Sequence, residues 1–300
     1  MSIVVVGTLA FDSIQTPFGR VERILGGSAN HFSMAAHYFT SIKMVGVIGD
    51  DFPQEHLMYL TDRKICTKGI QKIRGKSFFW EGLYESDMNQ AKTLITELNV
   101  LEQFNPILPA DYRQSDCLFL ANFDPELQLS VLDQVGAPSL VACDTMNFWI
   151  ERKREALEAV LKRIHLLLLN EGEAKLLTGE SNLIRAIKKM TQLGPKMIII
   201  KRGEYGAMLY FQGTISILPA YPLEEVRDPT GAGDAFAGGV MGYLAKHRNY
   251  LNEHIVRRAM MYGTVMASFN IEDFSFNRLK ELSWKAVEER YLQLKQVISL

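Results

Sequence analysis

Cysteine is scarce in this chain and badly placed for cross-linking. Only Cys66, Cys117 and Cys143 occur, an odd number at wide spacing, which excludes a disulfide framework and offers no zinc-ligand pattern. A reducing, cytoplasmic setting is expected. Long apolar runs are also missing. The candidates, residues 3–6 and 166–169 among them, fall far short of the roughly 18 residues of a membrane span. The first of them lacks a basic flank and a cleavage site, so it reads as a buried strand and not as a signal peptide. Neither sign of charge dominates. Lys plus Arg number 33 and Asp plus Glu 34, a net charge of −1, so no basic field exists to hold nucleic acid, and a small neutral or anionic metabolite is the expected partner. No repeat, low-complexity tract or polar linker interrupts the chain, so residues 1–300 are read as one domain whose core draws on 47% hydrophobic residues.

Two phosphate-binding fingerprints fail as well. A Gly-x-Gly-x-x-Gly turn after the first strand would need glycine at Leu9 and Asp12, and Gly75-Lys76-Ser77 lacks the partner glycine of a Walker A loop, because that position is Ile70.

What is present is a regular alternation. Apolar, β-branched runs at 2–7, 43–48, 117–120, 139–143, 164–169 and 197–201 read as strands, and 53–63, 125–134 and 151–162 read as helices between them. Helices at 252–269 and 284–297 follow later. The order predicts an α/β fold with a doubly wound, mostly parallel sheet flanked by helices. Two segments break the alternation: 14–25, with Thr, Pro and Gly among alternating apolar residues, and 77–84, which holds Phe78, Phe79, Trp80 and Tyr84. They are read as a small β lid built from about 14–25 and 71–104, the plainer alternative being a hairpin with aromatics packed on the sheet.

Polar residues collect where strands end, the usual ligand side of an open α/β sheet. Asp12 follows the first strand, where a carboxylate accepts bonds from two hydroxyls; a solvated loop aspartate or Asx turn is the other reading. Asn122, Asp144 and Asn147 fall at later strand ends. Gly26-Gly27 opens a helix running to about residue 39, and lets a polyol lie against backbone, with Asn30 offering a donor and an acceptor; as a bare turn signal the pair means less.

The stretch Asp228-Pro229-Thr230-Gly231-Ala232-Gly233-Asp234 combines a glycine turn, the start of a helix over 232 to about 246, and an acidic side chain. Such a turn aims backbone N–H groups into one cavity and admits a ligand without a Cβ in the way. A carboxylate beside an anion site is repelled by phosphate unless it is there to receive a proton. Ordinary helix-start chemistry, with Asp234 facing the helix dipole, is the alternative.

With Ala235-Phe236-Ala237-Gly238-Gly239 after it, this stretch closely resembles the C-terminal signature of the ribokinase, or PfkB, family of sugar and nucleoside kinases. The resemblance implies a ribokinase-like fold and transfer of the γ-phosphate of ATP to a hydroxyl of a small sugar. Asp234 would be the general base, and the amides of Gly231, Ala232 and Gly233 the anion hole. A nucleoside kinase, or a non-catalytic binder of sugar or nucleotide, are the rival readings. Asp12, Gly26, Gly27 and Asn30 would hold the acceptor, although the family usually places three residues between the second glycine and the asparagine and this chain has two. Asn170 and Glu173 match an Asn-x-x-Glu element that positions Mg²⁺ and the phosphates, and the same spacing suits a helix capping box. Lys201, Gly203 and Gly206 form a turn beside the nucleotide, or a plain hairpin turn, and Gly263 lies on the helix matching the adenine wall. The family also suggests a monovalent cation (K⁺) near the loop at Asp228. The lid edge would be paired in a homodimer or left free.

Overall fold

The alternating runs become strands because their two faces are both apolar. In the computed structural model, which describes residues 2–298, the strands in chain order are β1 (Ser2–Val6), β2 (Ala10–Thr16), β3 (Gly19–Gly26), β4 (Ser41–Ile48), β5 (Ile65–Lys72), β6 (Phe78–Tyr84), β7 (Ala91–Glu97), β8 (Cys117–Leu120), β9 (Leu140–Asp144), β10 (Leu166–Asn170), β11 (Met197–Lys201), β12 (Ala207–Phe211) and β13 (Thr214–Leu218). The helices are α1 (Ser28–Ala36), α2 (Gln54–Asp62), α3 (Pro125–Gln134), α4 (Asn147–Arg152), α5 (Arg154–Leu161), α6 (Glu171–Thr178), α7 (Leu183–Gln192), α8 (Ala232–His247), α9 (Glu253–Asn270), α10 (Asn277–Lys280) and α11 (Trp284–Val297). Residues 1, 299 and 300 of the expected 1–300 unit lie outside the described residues.

Nine strands form the main sheet in the order β13-β12-β11-β10-β9-β8-β1-β4-β5. From β11 to β5 every neighbour is parallel, and the two antiparallel pairings, β11–β12 and β12–β13, leave β12 as the one reversed strand of this sheet. Side chains alternate between faces, so Ile3, Val5, Leu166 and Leu168 join a core with α1, α8, α9 and α11, whereas Val4, Val6, Leu167 and Leu169 join one with α3, α5, α6 and α7. This is the doubly wound arrangement expected. It places the carboxyl ends of all the parallel strands on one rim.

The second sheet, β3-β2-β6-β7, forms the small β layer beside that rim. It begins earlier than residue 14: β2 starts at Ala10, with Phe11 opposite Phe79 and Asp12 opposite Trp80. Asp12 therefore sits within a strand of the second sheet and not in a loop after β1. Strand β5 escaped the sequence reading, because an edge strand carries polar side chains on its open flank and β5 is only intermittently buried. The expected helix 151–162 is broken at Lys153 into α4 and α5, and α1 stops at Ala36.

Candidate active site

The rim gathers two groups of residues. At its centre lies the turn into α8. Gly231 is the N-cap residue with φ 72°, a left-handed conformation, and a Cβ there would overlap the His31 ring, so glycine is required on two counts. Asp228 is fully buried and shapes the turn: Oδ1 accepts from the Thr230 amide and Oδ2 from the Ser275 amide, both at 2.9 Å. Of the three amides expected in the anion hole, that of Ala232 already donates to the Pro229 carbonyl at 3.1 Å. The amides of Gly231 and Gly233 keep the geometry of unbonded first-turn donors.

Beside this turn, Lys201 at the end of β11 reaches across β10 to Asp144 at the end of β9, with Nζ 2.6 Å from Oδ2. Its ammonium also lies 3.0 Å from the point a Cβ on Gly233 would occupy, so Gly233 makes room for it. Burial opposes the charge of Lys201, but the carboxylates of Asp144, Glu173 and Asp234 outweigh it and raise its pKa. Asp234, in the first turn of α8, is pushed up to about 7 by burial and then by Asp144, with Lys201 pulling the other way. Glu173 is likewise raised to about 7, by burial first, with Lys201 opposing and Asp144 adding to the rise. Three carboxylates share one ammonium.

Asn170 and Glu173 form a full capping box on α6: the Glu173 amide donates to Asn170 Oδ1 at 2.8 Å and the Asn170 amide to Glu173 Oε2 at 2.7 Å. Mg²⁺ of the sort kinases use is held by one or two carboxylates together with nucleotide phosphates. Glu173 suits that role, with one oxygen beyond the cap. Among the described residues no group of three or more His, Cys, Asp or Glu side chains is placed to hold a metal unaided.

In the second group Asp12 is buried, and its carboxylate accepts from the Gly27 amide. A Cβ on Gly26 would run into that carboxylate, and Gly27 has φ 95° against the Thr8 carbonyl, so both glycines seat Asp12. Burial, then the charges of Asp228 and Asp234, raise the Asp12 pKa to about 8. Asn30 departs from expectation. It is fully buried, Nδ2 donates to the Gly26 carbonyl at 2.7 Å, and Oδ1 lies 3.2 Å from His56 Nε2, so it braces the glycine turn and does not face a ligand.

Two further glycines are explained by the protein's own packing. A Cβ on Gly206, at φ 84°, would strike the Leu218 carbonyl of the adjoining hairpin strand, and one on Gly263 would press on Val240 and the Phe236 carbonyl of α8. Gly203, at φ 56°, lies against Asn89 from the turn between β6 and β7. The lid also reaches the α8 turn directly, where the Thr230 hydroxyl donates to the Tyr84 hydroxyl at 3.2 Å. Sequence reasoning missed Tyr84, His31 and Asn270 as neighbours of this turn. Asp144 carried the one available signal, a carboxylate at a strand end.

Residues 2–278 match the model of the pfkB family carbohydrate kinases. The chain belongs to that family. It is 29% identical over 254 residues to a cytidine kinase of Thermococcus kodakarensis, an alignment covering 83% of this chain and 90% of that one. Among solved structures, a nucleoside kinase of Methanocaldococcus jannaschii superposes with TM-score 0.76 at 19% identity, covering 97% of this chain and 98% of its own. An Escherichia coli structure named for ribokinase II, in complex with ATP and Mg²⁺, gives TM-score 0.76 at 19% identity over 97% and 99% of the two chains. These likenesses carry the ribokinase fold, and the family is one of phosphotransferases. No helix among the described residues is long and apolar enough to cross a membrane.

Proposed function

We propose that this pfkB kinase transfers the γ-phosphoryl group of ATP to a hydroxyl of a nucleoside. The observation carrying the kinase reading is that Asp234, from the opposite end of the chain, lies close enough for its charge to be felt at Asp12, with the glycine turn of α8 and Lys201 beside Asp234. One carboxylate is placed to hold the acceptor and the other to take its proton. The nucleoside is favoured over a free sugar because the cytidine kinase relative is matched over nearly its whole length.

In this reading Asp12 accepts hydrogen bonds from two acceptor hydroxyls, which fixes the third, reacting hydroxyl toward Asp234. An Asp234 carboxylate oxygen receives that proton as the O–P bond forms and the bond from the γ-phosphorus to the β,γ-bridging oxygen of ATP breaks. Phosphoryl transfer passes through a loose transition state, so placement and charge matter more than base strength. The amides of Gly231 and Gly233 and the Lys201 ammonium face the charge on the transferred group. Glu173 would help hold Mg²⁺, whose chemistry there would be to neutralise charge on the leaving diphosphate.

A coupled ADP-release assay with Mg-ATP across nucleosides and free sugars tests the reading. Nucleosides should turn over with the highest kcat/KM. Preference for a free sugar would overturn the substrate class, and no turnover with any acceptor, together with no thermal shift from millimolar Mg-ATP, would overturn the kinase.

A further inference from the structure

We infer that His31 and Asn270 form a buried positioning pair that sets the geometry of the α8 turn and ties it to the helix seating the acceptor. The inference rests on the kinase reading of that turn. His31 lies on α1 and is 1% exposed, with Nδ1 2.9 Å from Asn270 Oδ1. Asn270, the last residue of α9 and fully buried, donates from Nδ2 to the Thr230 carbonyl at 2.8 Å. These roles set the tautomer: Oδ1 is an acceptor, so His31 carries its proton on Nδ1, leaving Nε2 bare. That Nε2 is buried and has no hydrogen-bond partner. A lone pair left unpaired in the interior costs stability, so packing alone gives no account of an imidazole at this place.

The ring does a second thing. It lies directly under Gly231, whose left-handed backbone leaves no space between them, and it meets Phe276 edge-on with centroids 5.3 Å apart. The turn is thus fixed from below by the imidazole and from the side by Asn270, at the two residues, Thr230 and Gly231, that precede its donor amides. Asn30, adjacent to His31 in the chain, braces the Gly26 carbonyl and hence the seat of Asp12. Consecutive residues at the start of α1 therefore hold the acceptor seat and the phosphoryl seat in fixed relation. A displacement of about 1 Å at such a turn is enough to cost about 10²-fold in rate. Neither side chain touches substrate, so both are positioning residues.

Three variants separate positioning from packing. His31→Leu keeps bulk and loses the donor, His31→Asn keeps an amide N–H where Nδ1 stood, and Asn270→Ala removes the link to Thr230. For kcat per folded molecule, His31→Leu and Asn270→Ala should fall about 10²-fold, with the Kd of Mg-ATP and of the acceptor within threefold of the parent, and His31→Asn should recover at least tenfold over His31→Leu. Hydrogen exchange of the amides at 230–234, measured on protein without substrates, should speed up in His31→Leu and Asn270→Ala and not in His31→Asn. Unchanged exchange at 230–234, or equal kcat in the Leu and Asn variants, overturns the pair. If the parent protein turns over no acceptor at all, the kinase reading fails by itself, and the exchange comparison still decides whether the pair sets the turn.

Discussion

At one end of the candidate site a buried carboxylate, Asp12, has a backbone amide for its partner, whereas at the other, the proposed phosphoryl end, three carboxylates surround the ammonium of Lys201. The two ends manage charge in opposite senses. Asp12 is raised to about 8 because burial and two like charges oppose its ionisation, and ligand hydroxyls are the donors that would relieve it. The phosphoryl end already contains a cation, and the same carboxylates that keep Lys201 protonated would be displaced in importance by a phosphate, which prefers the ammonium. A binding seat can be left undersatisfied until its ligand arrives; a catalytic seat has to be organised beforehand.

The sharpest way to break this comparison is at Asp234. Asp234→Asn keeps the shape of the turn but cannot take a proton, so kcat should fall about 10²–10⁴-fold. ATP affinity should hold or rise, since a negative charge beside the γ-phosphate is gone. Paired melting and kinetic measurements check it, and a lower melting temperature with full turnover per folded molecule would return Asp234 to a helix-start role.

Next in size is Lys201→Met, which strands Asp144 beside two other acids. Its side chain and that of Asp144 are 18% and 6% exposed, so the pair is buried, and breaking it should cost about 3–5 kcal/mol of stability by urea unfolding. The corresponding change at the acceptor end, Asp12→Ala, should do the reverse to stability and weaken acceptor binding by about 1.5–3 kcal/mol while leaving ATP binding alone, as titration calorimetry would show.

The same residue has a pH signature. Native Asp12 keeps its proton to about pH 8, while the unfolded chain releases it near 3.8, so between those values the native state binds more protons. Without acceptor, stability should therefore fall as pH rises from about 4 to 8, with Asp234 and Glu173, both raised to about 7, contributing in the same direction. Melting curves across that range should be flatter for Asp12→Ala. The smallest effect is expected at Asn170→Ala, about 1 kcal/mol for the lost cap; a fall in kcat that excess Mg²⁺ restores would add a metal role to the capping one.

The sequence by itself determined the layered fold and the α8 turn. Uninterrupted apolar runs have one stable use, strands buried on both faces, and Gly231-Ala232-Gly233-Asp234 is contiguous, so its local chemistry is written in one place. Asp12, Gly26 and Gly27 were legible as candidates, but that Gly26 leaves room for the Asp12 carboxylate emerged only when β2 and β3 paired. Asn30, Gly206 and Gly263 look the same in sequence whatever they pack against, and only the packed helices and hairpin show which protein neighbours they meet. The Lys201–Asp144 pair and the His31–Asn270 link were beyond the sequence altogether. Their partners are 57 and 239 residues apart, and no local periodicity encodes a contact made only when the crossover connections wind the sheet and bring α1 and α9 to the same turn.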